Sequence, residues 1–163
     1  MLHIDVTETL TKLLIDGISS HSMLLDQYVV LHAAFVSALH RLIGIEFGQS
    51  TSSRTGVMAI LMAHPAAFFV QHVVSSYDTH FAALKDVGEI AQDPSAGDEP
   101  IGKECSNLVV LLSELYNFQV VSCVLIYDII RTLLDGQLTE FKVELLLKVA
   151  RSMSPLYGHE IVC

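Results

Sequence analysis

Residues 107–134, N-L-V-V-L-L-S-E-L-Y-N-F-Q-V-V-S-C-V-L-I-Y-D-I-I-R-T-L-L, constrain the fold more than any other stretch. Two apolar segments flank a short polar break at 117–119. In the first, Leu108, Leu111, Leu112 and Leu115 recur at i, i+3, i+4 and i+7, which is one face of a helix. In the second, Leu125, Ile126, Ile129, Ile130 and Leu133 repeat the pattern, with Asp128, Arg131 and Asp135 three and four apart on another face. Those three polar residues read as an ion-pair ladder on a helix surface. The many Val and Ile residues also suit a β-hairpin. Each segment is more than twice the usual strand length of about five or six residues, however, and the polar residues do not alternate. The stretch is expected to form two antiparallel helices joined by a tight turn.

The rest of the chain continues the helical theme. Helix one is expected over 5–20, capped by Asp5 or Thr7, with Leu10, Leu13, Leu14 and Ile18 as its stripe. Helix two is expected over 26–43, burying Val30, Leu31, Ala34, Phe35, Ala38, Leu39 and Leu42, with Gly44 as a left-handed stop. Helix three is expected over 66–84, with Pro65 in its first turn and Phe68, Phe69, Val73, Val74, Tyr77 and Phe81 as anchors. Helix six starts near Thr139, a good N-cap, and carries Phe141, Leu145, Leu146 and Val149. Residues 48–56 and 92–102 read as polar, glycine-bounded or proline-broken loops. Six helices in pairs predict an all-α chain, an α-solenoid of antiparallel helix pairs of the HEAT-repeat type, with a four-to-six-helix bundle as the alternative.

Composition narrows the functions. With 163 residues the chain is about one domain, and 52% hydrophobic against 17% charged residues leaves a thinly solvated surface that expects company. The net charge of -9 and the lack of any Lys/Arg run disfavour tight nucleic-acid binding and suit a basic protein partner. Cys105, Cys123 and Cys163 are odd in number and form no C-x-x-C, so neither a disulfide framework nor a zinc site is expected. His32 and His40 stand eight apart, as do His64, His72 and His80. Eight helical residues span about 12 Å, too far for two such side chains to share one metal. No G-x-S-x-G, H-E-x-x-H or P-loop pattern occurs, so no catalytic residue, metal or cofactor is expected. The N-terminus lacks the pattern of a signal peptide, and the apolar run at 57–74 is broken by His64, Pro65, Gln71 and His72, so no membrane span is expected.

Three stretches carry a resemblance: D-V-T-E-T-L at 5–10, Y-V-V-L-H-A-A-F-V-S-A-L-H-R-L-I-G at 28–44, and C-S-N-L-V-V-L-L-S-E-L-Y-N-F-Q-V-V at 105–121 running on into L-I-Y-D-I-I. Together they resemble the middle domain of initiation factor 4G (MIF4G) as found in the nucleolar MIF4G-domain family; a spliceosomal factor with this domain is a more distant relative. The resemblance covers most of 5–48 and 67–152, and S-E-L-Y-N-F is its most specific block. It implies a HEAT-repeat scaffold that docks an initiation-factor-4A-type DEAD-box RNA helicase. It also implies a place in the nucleus and nucleolus, in the pre-ribosomal particle, with small-subunit rRNA processing as the task and RNA contact weak or indirect. A helical-repeat module of a splicing or translation complex is the alternative. Against the family pattern, 1–152 reads as a partial domain, 49–66 as an insertion and 153–163 as an unrelated tail, both of the kind retained intron sequence would leave. Family members also carry a long charged N-terminal region and a further C-terminal helical domain. Within the central turn, Asn117 and Gln119 are the candidate partner-binding residues, because turns of helical repeats gather on one rim; Tyr116 and Phe118 are expected in the core.

Overall fold

The structure, a computed structural model, describes residues 2–19, 25–50, 65–87 and 102–153. These form six helices and, among the described residues, no strand: α1 (Leu2–Ser19), α2 (Asp26–Ser50), α3 (Pro65–Val87), α4 (Lys103–Asn117), α5 (Cys123–Leu134) and α6 (Glu140–Ser152). Contacts between their ends set their directions. The Cβ position of Gly102, before α4, falls on the Phe141 ring at the start of α6. At the other end the Asn117 amide donates to the Ser152 carbonyl at 2.7 Å. α4 and α6 therefore run parallel and pack on each other, and α5 runs back antiparallel to both. Asn107 Nδ2 donates to the Ile18 carbonyl at 3.2 Å, so the end of α1 lies beside the start of α4. Leu84, late in α3, reaches Gly102 in the same way. Successive helices alternate in direction, as a stack of antiparallel pairs requires.

α4 is the axis of this stack and packs against all five other helices. Every residue from Cys105 to Ser113 is buried, and so is Leu115. The sequence marks one leucine face; Val109 and Val110 are enclosed as well, so from Cys105 to Ser113 α4 is covered all round. Two of its buried polar side chains bond to backbone carbonyls: Ser113 Oγ donates to Val109 within the helix at 2.9 Å, and Asn107 donates across to Ile18 of α1. Around it lie Ile15 and Ile18 of α1, Val29, Ala33 and Val36 of α2, and Phe69, Val73, Tyr77 and Phe81 of α3. Ile126, Ile129 and Leu133 of α5 and Leu145 and Val149 of α6 complete the core.

Four expectations need correction. α2 does not stop at Gly44 but continues to Ser50, because a helical glycine costs only about 1 kcal/mol relative to alanine and does not by itself end a helix. The buried face of α2 is turned by one residue: Val29, Ala33, Val36 and Ser37 face in, while Leu31, Phe35 and Leu42 are exposed. The stripe with the smaller side chains meets α4, which lets the two axes approach closely. In α1, Ile18 is buried and Leu14 packs against the core as expected, but Thr11 and Ile15 are buried in place of Leu13, which is outside. Its helix also begins at Leu2, ahead of the expected caps. Elsewhere the expected anchors of α3, α5 and α6 lie at or against the core, except Phe68, whose ring lies against His72 instead. α3 begins at Pro65, and Thr139 caps α6 by accepting from the Lys142 N–H at 3.3 Å. Two residues at each end of the 49–66 segment belong to helices, Gln49 and Ser50 to α2 and Pro65 and Ala66 to α3; the remainder, and 154–163, lie outside the described residues.

Candidate functional site

The turn from α4 to α5 is built by a backbone motif that the sequence conceals. The Gln119 N–H donates to the Tyr116 carbonyl at 2.8 Å and the Val120 N–H to the Leu115 carbonyl at 2.8 Å, the paired bonds of a Schellman ending. That ending needs a left-handed residue, usually glycine; here it is Gln119, with φ 62°. Gln119 is exposed, whereas Phe118 and Val120 on either side pack against the core.

Asn117 is placed differently. Its amide donates to the Ser152 carbonyl and to Glu114 Oε2 at 3.1 Å, tying the end of α4 to the end of α6. Burial pushes the Glu114 carboxyl up; the Asn117 bond pulls it down and the Asp26 carboxylate adds to the rise. Ser37 Oγ and the Arg41 guanidinium of α2 both reach the Phe118 carbonyl at 3.5 Å. The rim thus gathers α2, α4 and α6 around one turn, with Gln119 projecting from it and Asn117 holding it together.

The opposite rim holds two residues that the sequence does not flag. Lys142 is buried, and its ammonium donates to the carbonyls of Asp135 at 2.6 Å and Gln137 at 3.1 Å, closing the α5–α6 turn. Only the apolar spacing of α6 was visible beforehand, and a lysine within it reads as solvated. Gly102 has φ 98° and a Cβ there would overlap Phe141, so the backbone must be glycine both for conformation and for space.

The chemistry of the other polar groups is structural. Burial, with Glu104 adding to it, pushes the Cys105 thiol up to about 12, which keeps it protonated and inert. Cys123 is half-buried. The Tyr77 hydroxyl is buried without a hydrogen-bond partner, and burial raises its pKa far above the ordinary value. His32 and His72 each donate Nδ1–H to the carbonyl four residues back, at 2.7 and 2.9 Å, and lie tilted against Tyr28 and Phe68 with ring centroids 4.1 Å apart. Of the expected ladder, Arg131 lies 3.6 Å from Asp128, while Asp135 contributes its backbone to the turn. Among the described residues no group of three His, Cys, Asp or Glu side chains could hold a metal ion, and no helix is long and apolar enough to cross a membrane.

The described residues form an interlocked helical array with a projecting turn. The MIF4G domain model matches residues 1–163. The chain belongs to the MIF4G domain family.

MIF4G is an all-α helical-repeat domain that mediates protein–protein interaction, and the helix stack fits it. The MIF4G chain is 37% identical over 146 residues to Suppressor of glycerol defect protein 1 of Schizosaccharomyces pombe, covering 88% of this chain and 15% of that protein. It is 32% identical over 149 residues to Nucleolar MIF4G domain-containing protein 1 of Mus musculus, covering 91% and 14%. The Homo sapiens protein of that name is 30% identical over 149 residues, covering 91% and 13%. The chain therefore spans 13–15% of the length of these curated relatives. No solved structure matches it.

Proposed function

We propose that this MIF4G chain is a scaffold segment that docks an initiation-factor-4A-type DEAD-box RNA helicase in the nucleolus, within pre-ribosomal particles that process small-subunit rRNA. The observation that carries this reading is the MIF4G match together with mammalian relatives named as nucleolar. The α4–α5 rim is the assigned contact. Gln119 holds a left-handed conformation that costs a non-glycine residue about 1 kcal/mol, and strain retained at an exposed turn supports a role in contact. Asn117 serves that contact by fixing the turn. The net charge of -9 suits a basic partner surface and leaves RNA contact weak or indirect.

Capture of helicases from nuclear extract on the immobilised chain, followed by an ATPase assay with the purified helicase, tests the proposal. A nucleolar initiation-factor-4A-type helicase should be retained and its ATPase rate changed, and Gln119→Arg should weaken retention while leaving the helical spectrum unchanged. Retention of a spliceosomal or translational helicase instead would favour the alternative assembly. Retention of none would end the helicase reading.

A further inference from the structure

The α4–α5 rim is charged against the trend of the chain. Over the sequence 18 acidic side chains stand against 9 basic ones. Yet two exposed arginines from other helices are placed at the Gln119 turn. Arg41 of α2 reaches the Phe118 carbonyl from 77 residues away. Arg151 of α6 directly precedes Ser152, whose carbonyl accepts from Asn117. Among the described residues neither arginine is paired with a carboxylate. Other cations are engaged within the chain: Lys12 by Glu8, Arg131 by Asp128, and Lys142 by two carbonyls. The acid of this rim, Glu114, is half-buried and bonded to Asn117.

A cation at the end of a helix also complements the helix dipole, and Arg151 in the last turn of α6 does so. Arg41 has no such place on its own helix, which runs on to Ser50. Its contact with the Phe118 carbonyl is long, at 3.5 Å, and occupies one arm of the guanidinium. A guanidinium carries five N–H donors in a planar fork that matches a carboxylate. The turn beside it is already fixed. Asn117 is tied to Ser152, the Phe118 carbonyl is met by both Ser37 and Arg41, and Gln119 is left-handed. Groups held in place lose little freedom when a partner arrives.

We propose that Arg41 and Arg151 are the charged contacts of this rim and that they bind carboxylate side chains of a partner protein. This rests on the helicase reading of the rim and narrows it: the partner surface is basic as a whole and carries acids where it meets the Gln119 turn. A local inversion of charge sets the register of docking, because a shifted partner would bring its acids against Asp16, Asp26 or Asp78, all exposed. Nucleic acid suits the rim less well, since a net charge of -9 repels a polyanion that two cations would have to hold.

Titration of a purified initiation-factor-4A-type helicase against the full chain and its variants, at low and at raised salt, tests this. Arg41→Gln and Arg151→Gln should each weaken binding about tenfold, and each should lose part of the salt dependence that the parent shows. Arg131→Gln, at the far end of α5, should bind as the parent does. Thermal melts separate the roles: a purely dipole-capping arginine would lower the melting temperature and leave affinity alone, whereas a contact residue does the reverse. Helicase binding that survives both rim variants unchanged overturns this proposal alone. A parent chain that binds no helicase overturns the helicase reading and this inference with it. A short single-stranded RNA whose binding depends on the two arginines, with helicase binding indifferent to them, assigns the rim to phosphate and overturns the carboxylate contact.

Discussion

α4 and α5 are neighbours with opposite fates, although α5 is the more apolar in sequence. α4 buries Cys105 through Ser113 without interruption, whereas α5 buries Ile126, Ile129 and Leu133 and leaves Val124, Tyr127 and Leu134 outside. Their difference lies in position rather than composition. α4 has helices on every side, so each methyl group it carries displaces water; α5 lies at the flank of the stack and has only one side to bury. In a helical array, hydrophobicity therefore says that a helix wants cover, and the neighbours decide how much it receives.

Gly102→Ala should strike this comparison hardest, because it separates α4 from α6 at their shared end. The added Cβ overlaps Phe141 and takes a left-handed φ, so a loss of about 3 kcal/mol or more is expected in urea unfolding. A negligible loss would mean that the α4–α6 contact is wrongly drawn. Next comes the direct contrast. Leu111→Ala in α4 should cost about 2–5 kcal/mol, and Leu134→Ala in α5 should fall within about 0.5 kcal/mol of the parent. Equal losses would remove the distinction between centre and flank.

Asn117→Ala should cost about 1–2 kcal/mol, since it leaves the Ser152 carbonyl without its donor and frees the end of α6. The same site has a pH signature. The Glu114 carboxyl is raised chiefly by burial, so folding favours its protonated form. Its contribution becomes more favourable as pH falls through the raised folded value and is lost again as pH rises. Glu114→Gln should therefore stabilise the chain at neutral pH and lose that advantage in acid, measured by thermal melts across the two conditions. One expected effect is a gain. A Cβ at Gly17 would meet only Tyr28 Oη at an ordinary 3.8 Å, so Gly17→Ala should add about 0.5–1 kcal/mol.

Much of the architecture was legible in advance. Six helices, the start of α3 at Pro65, the Thr139 cap and the core anchors of α3, α5 and α6 follow from spacing and capping chemistry, which act within a few residues. Of the candidate rim, the turn itself was visible as a polar break, and Gln119 does project from it. The Schellman geometry was hidden because it rests on backbone bonds and on a left-handed glutamine that composition does not announce. The structural employment of Asn117 was hidden because its partner, Ser152, lies 35 residues away.

By itself the chain determined that it would be helical, where the turn between α4 and α5 falls and which family it resembles. All of these depend on local periodicity and on residue identity. Only the tertiary structure decided which of two apolar stripes on α2 faces inward, that α4 would be enclosed on all sides, and that Lys142 would be buried over the carbonyls of Asp135 and Gln137. A helical repeat fixes the directions in which side chains leave the axis. Which direction meets another helix depends on how closely the axes can approach, and that is set by side chains distant in sequence.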